Sequence, residues 1–279
     1  MKLTRIISVA VLISMLAVVG AGVGCGGKGR GGAARGMNMM PENASSFVFV
    51  DIKALRSDED LKGIYTEEVR ETFGIDVDDI DCVAASDDLS LLDGRFDFDK
   101  VRDGLDGRGF NKSEYKDVEV WENSGEDVWV ALMRNFDGSG WLALMRNLIV
   151  LGSEDAVKDC ITVIEEGKDS LQDNRDARDV MARLPGGVVM MWGIGETFTE
   201  IIEQEFEGLD AGGMSLGKKD KDTLKVAVVL KFEDEDAAGD ATDEIKDDLE
   251  EKGYKDINVN QDKELVKVTG EKDIDDFPG

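Results

Sequence analysis

LKVAVVLKFEDEDAAGDATDEIKDDLEEKGYKDINVNQDKELVKVTG, residues 224–270, carries strand, helix and hairpin signals in one run. Leu224, Val226, Val228, Leu230 and Phe232 fall on every second position, the period of a strand with one apolar face. In residues 236–252, Ala238, Ala241, Ile245 and Leu249 recur at helical spacing, and Gly253 is placed to stop that helix. Residues 257–260 and 265–269 then read as a hairpin. Strand, helix and hairpin without strict β-α-β-α alternation predict an α+β fold, with antiparallel-rich sheets backed by helices.

Working back toward the N-terminus, residues 188–192 read as a strand and 197–206 as a helix. Residues 208–217, rich in glycine, read as a loop. Upstream of Pro185 the same grammar recurs. Residues 46–52 form an apolar strand around Phe47 and Phe49. Residues 60–73 form an amphipathic helix, 82–85 and 89–96 form strands, and a short helix starts at Asp99. Residues 118–122, 127–133, 140–145 and 148–151 form a meander. Ala-Leu-Met-Arg-Asn occurs twice in it, at 131–135 and 143–147, which predicts neighbouring strands. Ser153 caps a helix bearing Val157, Ile161 and Ile164, and a short helix ends near Leu184. Both stretches begin after a proline, and both contain Tyr-Lys-Asp-aliphatic, at 115–118 and 254–257. The expectation is a duplication: two similar halves, 41–184 and 185–279.

Residues 1–40 belong to neither half. Lys2 and Arg5 precede an apolar run over residues 6–19, then small residues lead to Cys25. This is the order of an export signal, residues 1–24. Gly22-Val23-Gly24-Cys25 has the small residue and cysteine of a lipid-attachment site, with Gly22 where an aliphatic residue is usual. Cleavage near Gly24 without lipid, or an uncleaved membrane anchor, are the alternatives. Residues 25–40 read as a flexible, mildly basic, Gly-rich tether.

Residues 41–52, 94–101, 115–121 and 148–161 form an ordered set of segments behind that tether. In this organisation the chain resembles uncharacterised bacterial lipoproteins of unknown function. The resemblance implies a membrane-anchored protein of the bacterial cell envelope or cell surface. It carries no activity or site residues to transfer.

Charge and composition narrow the chemistry. Sixty-one acidic residues face 33 basic ones in 279, a net charge of −28. Such a field repels nucleic-acid phosphates, so no nucleic-acid partner is expected. It suits a cationic or divalent-ion partner. There is no histidine, which removes histidine-dependent triads, dyads and zinc motifs. Acidic clusters at 76–81, 97–99 and 234–239 lack the ligand spacing of a calcium loop. Gly193-Ile194-Gly195 and the run 212–219 lack the dinucleotide and phosphate-loop patterns, and no cofactor is expected. Trp121, Trp129 and Trp141 offer either core packing or a shared aromatic platform. With Cys25 lipidated, Cys82 and Cys160 remain, as a disulfide or as two buried thiols. The expected role is non-catalytic binding or structure in the envelope; the alternatives are a divalent-cation-binding surface protein or a carboxylate-dependent envelope enzyme.

Overall fold

The computed structural model describes residues 28–57, 75–123, 140–202, 204–221 and 223–273. The expected signal, Cys25, the helix over 60–73, the strand over 127–133 with the first Ala-Leu-Met-Arg-Asn, and Trp129 lie outside them. The chain begins with helix α1 (Lys28–Met37), strand β1 (Ser46–Val50) and helix α2 (Ile52–Arg56). Next come β2 (Ile80–Ser86), β3 (Leu89–Gly94), α3 (Phe98–Asp106), β4 (Asn111–Tyr115), β5 (Val118–Asn123), β6 (Gly140–Met145) and β7 (Leu148–Gly152). Helices α4 (Glu154–Glu166) and α5 (Arg175–Met181) lead to β8 (Val189–Ile194), α6 (Gly195–Ile202), β9 (Leu209–Lys218) and β10 (Thr223–Phe232). Helix α7 (Glu235–Glu251) and strands β11 (Lys255–Asp262) and β12 (Leu265–Asp273) complete it.

All twelve strands of the described residues join one sheet, in the order β11-β12-β10-β9-β8-β1-β2-β3-β7-β6-β5-β4. Every pairing is antiparallel. The α+β class therefore stands, but the two similar halves do not. β1 and β8 pair through five residues, from Ser46 opposite Gly193 to Val50 opposite Val189. Seven strands lie on the β1 side of that junction and five on the β8 side. β1 is buried at every position, and β8 at all but its last. A strand apolar on both faces is stable only in the interior of a sheet, which is why the junction sits at its centre. The repeated tetrapeptide also does two different jobs. Lys116 and Asp117, both at positive φ, make the tight turn between β4 and β5. Lys255 and Asp256 instead open β11 through an irregularity in its register.

The sheet has helices on both faces. Phe47, Phe49, Trp192 and Val229 point into a core that runs under α1, α4 and α5 across most of the sheet. The opposite face carries three separate cores. Val101 and Leu105 of α3 cover one, Leu55 of α2 a second, and Phe198, Ala238 and Ile245 of α6 and α7 the third. Helix starts follow polar caps: the side chains of Asp97, Ser153, Asn174 and Asp234 accept from backbone amides two or three residues on.

Two glycine-rich stretches depart from expectation. Residues 28–37 are a helix, not part of a flexible tether, and Ala33, Met37 and Met40 are buried in the large core. A Cβ on Gly32 would stand 2.4 Å from Cζ of Phe49, and one on Gly36 3.1 Å from Cζ of Phe47. The glycines let the helix backbone lie directly on the two phenylalanine rings. The loop expected over residues 208–217 is instead strand β9 from Leu209 onward. There, a Cβ on Gly212 would stand 2.1 Å from the Phe198 ring, and one on Gly213 2.6 Å from Val180. The missing side chains make room for α6 on one face and α5 on the other.

Candidate functional site

A buried polar cluster lies where α1 meets the sheet. Asp93 ends the inward row of β3 and is 6% exposed. Arg35 of α1 reaches it at 2.6 Å, and the Asn147 amide donates to its other oxygen at 2.5 Å from the turn between β6 and β7. Cys82, opposite Asp93 in β2, brings its sulfur to 4.0 Å. Burial pushes the Asp93 carboxyl above its ordinary value, with Arg35 opposing. Burial and the Asp93 charge push the Cys82 thiol up to about 12. The Arg35–Asp93 pair ties α1 to the sheet, with the Cys82 sulfur beside it.

Elsewhere on α1, that helix and α5 flank a cleft of about 190 Å³. Ala33, Met37, Met181 and Met190 form its apolar walls, and Arg30 and Arg178 stand at its polar margin. Arg30 donates to the carbonyl of Ala182, the residue that ends α5. Arg178 is exposed and makes no ion pair among the described residues. The acidic residues of this region are engaged. Asp176 and Asp179 hold the buried Lys231 at 2.6 and 3.5 Å, Arg175 reaches Asp179 at 3.6 Å, and Asp173 accepts from the amide and hydroxyl of Ser170.

A second, open hollow of about 440 Å³ lies beside α6. It is lined by Glu196, Glu205, Asp210 and Glu233. Among the described residues, no group of three or more His, Cys, Asp or Glu side chains is gathered closely enough to hold a metal ion. The acidic clusters singled out in the sequence serve local structure. Asp76 accepts from the amide of Asp78, and Arg56 lies 3.8 Å from Asp78 and 4.0 Å from Asp81. Asp97 and Asp234 cap helices, and Asp99 pairs with Arg102 at 2.9 Å.

Among the described residues the two cysteines are free thiols: Cys82 is half-buried beside Asp93, while Cys160 is buried in α4 and donates to the Met39 carbonyl at 3.3 Å. The disulfide expected as one possibility is absent. Burial raises the Cys160 thiol well above its ordinary value. Trp121 and Trp141 share no platform. Trp121 lies opposite Leu142 and Trp141 opposite Glu122, so the register sends the rings to opposite faces of the sheet. The indole N–H of Trp121 donates to Glu119, which also accepts from Lys112 and Arg102. Sequence reasoning missed the Arg35–Asp93 pair and the cleft because both depend on α1 being a docked helix.

No family model matches the chain, and no solved structure matches it significantly. An uncharacterized protein of the archaeon Methanocaldococcus jannaschii is 26% identical over 301 aligned positions, which cover 98% of this chain and 99% of that one. At that identity the likeness shows neither a family nor a role for this chain. Among the described residues, no helix is long and apolar enough to cross a membrane.

Proposed function

We propose that this chain is a lipid-anchored extracytoplasmic protein with a non-catalytic binding or structural role at the cell envelope. The observation that carries the reading is the order at the N-terminus: Lys2 and Arg5, the apolar run 6–19, the small residues, then Cys25. The charge distribution supports it. From Cys25 to Pro41 the chain holds three basic side chains, Lys28, Arg30 and Arg35, and no acidic one, whereas the remainder holds 28 basic and 61 acidic. A basic N-terminal stretch is attracted to an anionic bilayer surface, and the acidic remainder is repelled by it. Intact mass measurement of the chain recovered from membranes tests the anchor. The expected result is a chain starting at a diacylglyceryl-modified Cys25. A membrane-bound chain with Met1 intact overturns the lipid and keeps the tether. A chain found wholly in the soluble fraction overturns both.

A further inference from the structure

We infer that β4 pairs with β4 of a second copy of this chain, antiparallel and centred on Ser113, so that Lys112 of each copy lies opposite Glu114 of the other. The inference is independent of the anchored reading above and goes beyond it.

The sheet is open, and among the described residues β4 and β11 are its end strands. An end strand leaves the N–H and C=O groups of its outer side without a ladder partner, which makes it a template for another strand. In β4, Asn111, Lys112, Ser113 and Glu114 are all exposed, so neither flanking helix overhangs that edge. Charge decides between the two ends. Residues 98–118, which build α3, β4 and the turn after it, hold five basic and five acidic side chains. Residues 235–262, which build α7 and β11, hold three basic and eleven acidic. In a molecule of net charge −28, two copies can therefore meet at their β4 ends without opposing two acidic surfaces, whereas at β11 the like charges repel.

Register comes from the order Asn111-Lys112-Ser113-Glu114-Tyr115. Two identical antiparallel strands in one continuous sheet are related by a two-fold axis perpendicular to it, which keeps each side chain on its own face and sets one residue opposite its own copy. Centred on Ser113, all five residues pair and Lys112 meets Glu114 twice. Centred on Lys112 or on Glu114, that residue meets its own copy and like charges oppose. The two side chains are available. Glu114 lies opposite Glu119 in β5 and makes no hydrogen bond or ion pair among the described residues. Glu119 is already met by Arg102, Lys112 and Trp121. Lys112 gives Glu119 one of its three donors, at 2.9 Å, and can still serve a second carboxylate. The second copy supplies the cation that Glu114 lacks within its own chain.

The test is disulfide trapping in the full chain under mild oxidant, with the parental chain as background. In Ser113→Cys the introduced thiols face each other across the axis, where directly opposed Cα atoms stand about 4.5–5.5 Å apart, within disulfide reach. A covalent dimer linked through position 113 of both copies is expected. In Asn111→Cys the thiols would stand about 14 Å apart along the strands. In Asn260→Cys they lie exposed on the acidic β11 end. Both should stay at background. Five residues a side make a small contact, and covalent trapping captures it even where it is short-lived. Glu114→Lys opposes like charges at two points and should cut trapping at position 113 about tenfold. Its melting temperature should be unchanged or raised, because within its own chain the new side chain faces Glu119. Adding Lys112→Glu exchanges the two charges and should restore trapping. Background-level trapping in Ser113→Cys, in a chain that melts like its parent, overturns the inference. So does equal trapping at position 111 or 260, which marks random collision, and so does trapping indifferent to Glu114→Lys. Sedimentation of the unsubstituted chain gives a second reading that needs no new thiol. Self-association weakened by Glu114→Lys is expected, and a chain that stays monomeric to its solubility limit overturns the pairing.

Discussion

Gly31 and Gly32 are adjacent in α1 and should respond oppositely to the same substitution. Alanine in place of a helical glycine is worth about 0.5–1 kcal/mol of stability through the unfolded chain. At Gly31 a Cβ meets nothing within 4 Å, so Gly31→Ala should stabilise by about that amount. At Gly32 it meets the Phe49 ring at 2.4 Å, and that ring is 1% exposed with nowhere to move. Overpacking costs about 1–3 kcal/mol and wins, so Gly32→Ala should destabilise. Urea melts of the two variants check this; a flexible tether would leave both unchanged. Asp93 makes a prediction in pH. Its carboxyl is raised in the folded protein, so the folded state binds the proton more tightly than the unfolded chain. Stability contributed by protonated Asp93 is therefore present below the ordinary carboxylate value and is lost as pH rises through the raised one. Relative to wild type, Asp93→Asn should remove this decline from the pH dependence of unfolding, measured across the acid range.

At the scale of elements, the strands were the most legible part of the sequence. β6 and β10 appear within a residue of where alternation places them. Ser153 caps α4 as its hydroxyl chemistry requires. The failures were β9 and α1, for one physical reason. Glycine weakens a segment's intrinsic preference and leaves no side chain to show a period, so a stretch packed closely against aromatic rings reads like a loop. The sequence does hold a late clue in α1: Ala33 and Met37 stand four apart, with Gly32 and Gly36 beside them. Met37 is 1% exposed, and Met37→Ala should cost about 2–5 kcal/mol. Such a loss in a urea melt requires a docked helix, while an undetectable one would contradict it.

At the scale of the molecule, the large core runs beneath α1, α4 and α5 from β5 to β12 and crosses the β1–β8 junction. Residues from both sides of the junction thus lose their packing together. Urea unfolding should follow a single transition, with tryptophan fluorescence and far-ultraviolet circular dichroism coinciding; two separated transitions would mean the sides fold independently. The net charge of −28 acts at this scale too. Self-repulsion of a compact acidic body opposes folding, and salt screens it. The melting temperature should rise as sodium chloride is added from low ionic strength, and a fall would show that attractive pairs such as Arg35–Asp93 dominate the balance.

Alternation and helical spacing were enough to place most strands and helices and to settle the α+β class, because apolar periodicity is a local property of the chain. Composition bounded the chemistry, since a chain with no histidine has no imidazole to offer. Three things waited for the tertiary structure. Whether the strands form one sheet or several depends on β1 and β8 meeting, a contact between segments more than 130 residues apart. Whether Cys82 and Cys160 bond depends on where two separate elements bring their sulfurs. And whether the glycines of residues 28–37 are slack or contact depends on Phe47 and Phe49, which only the fold brings beneath them.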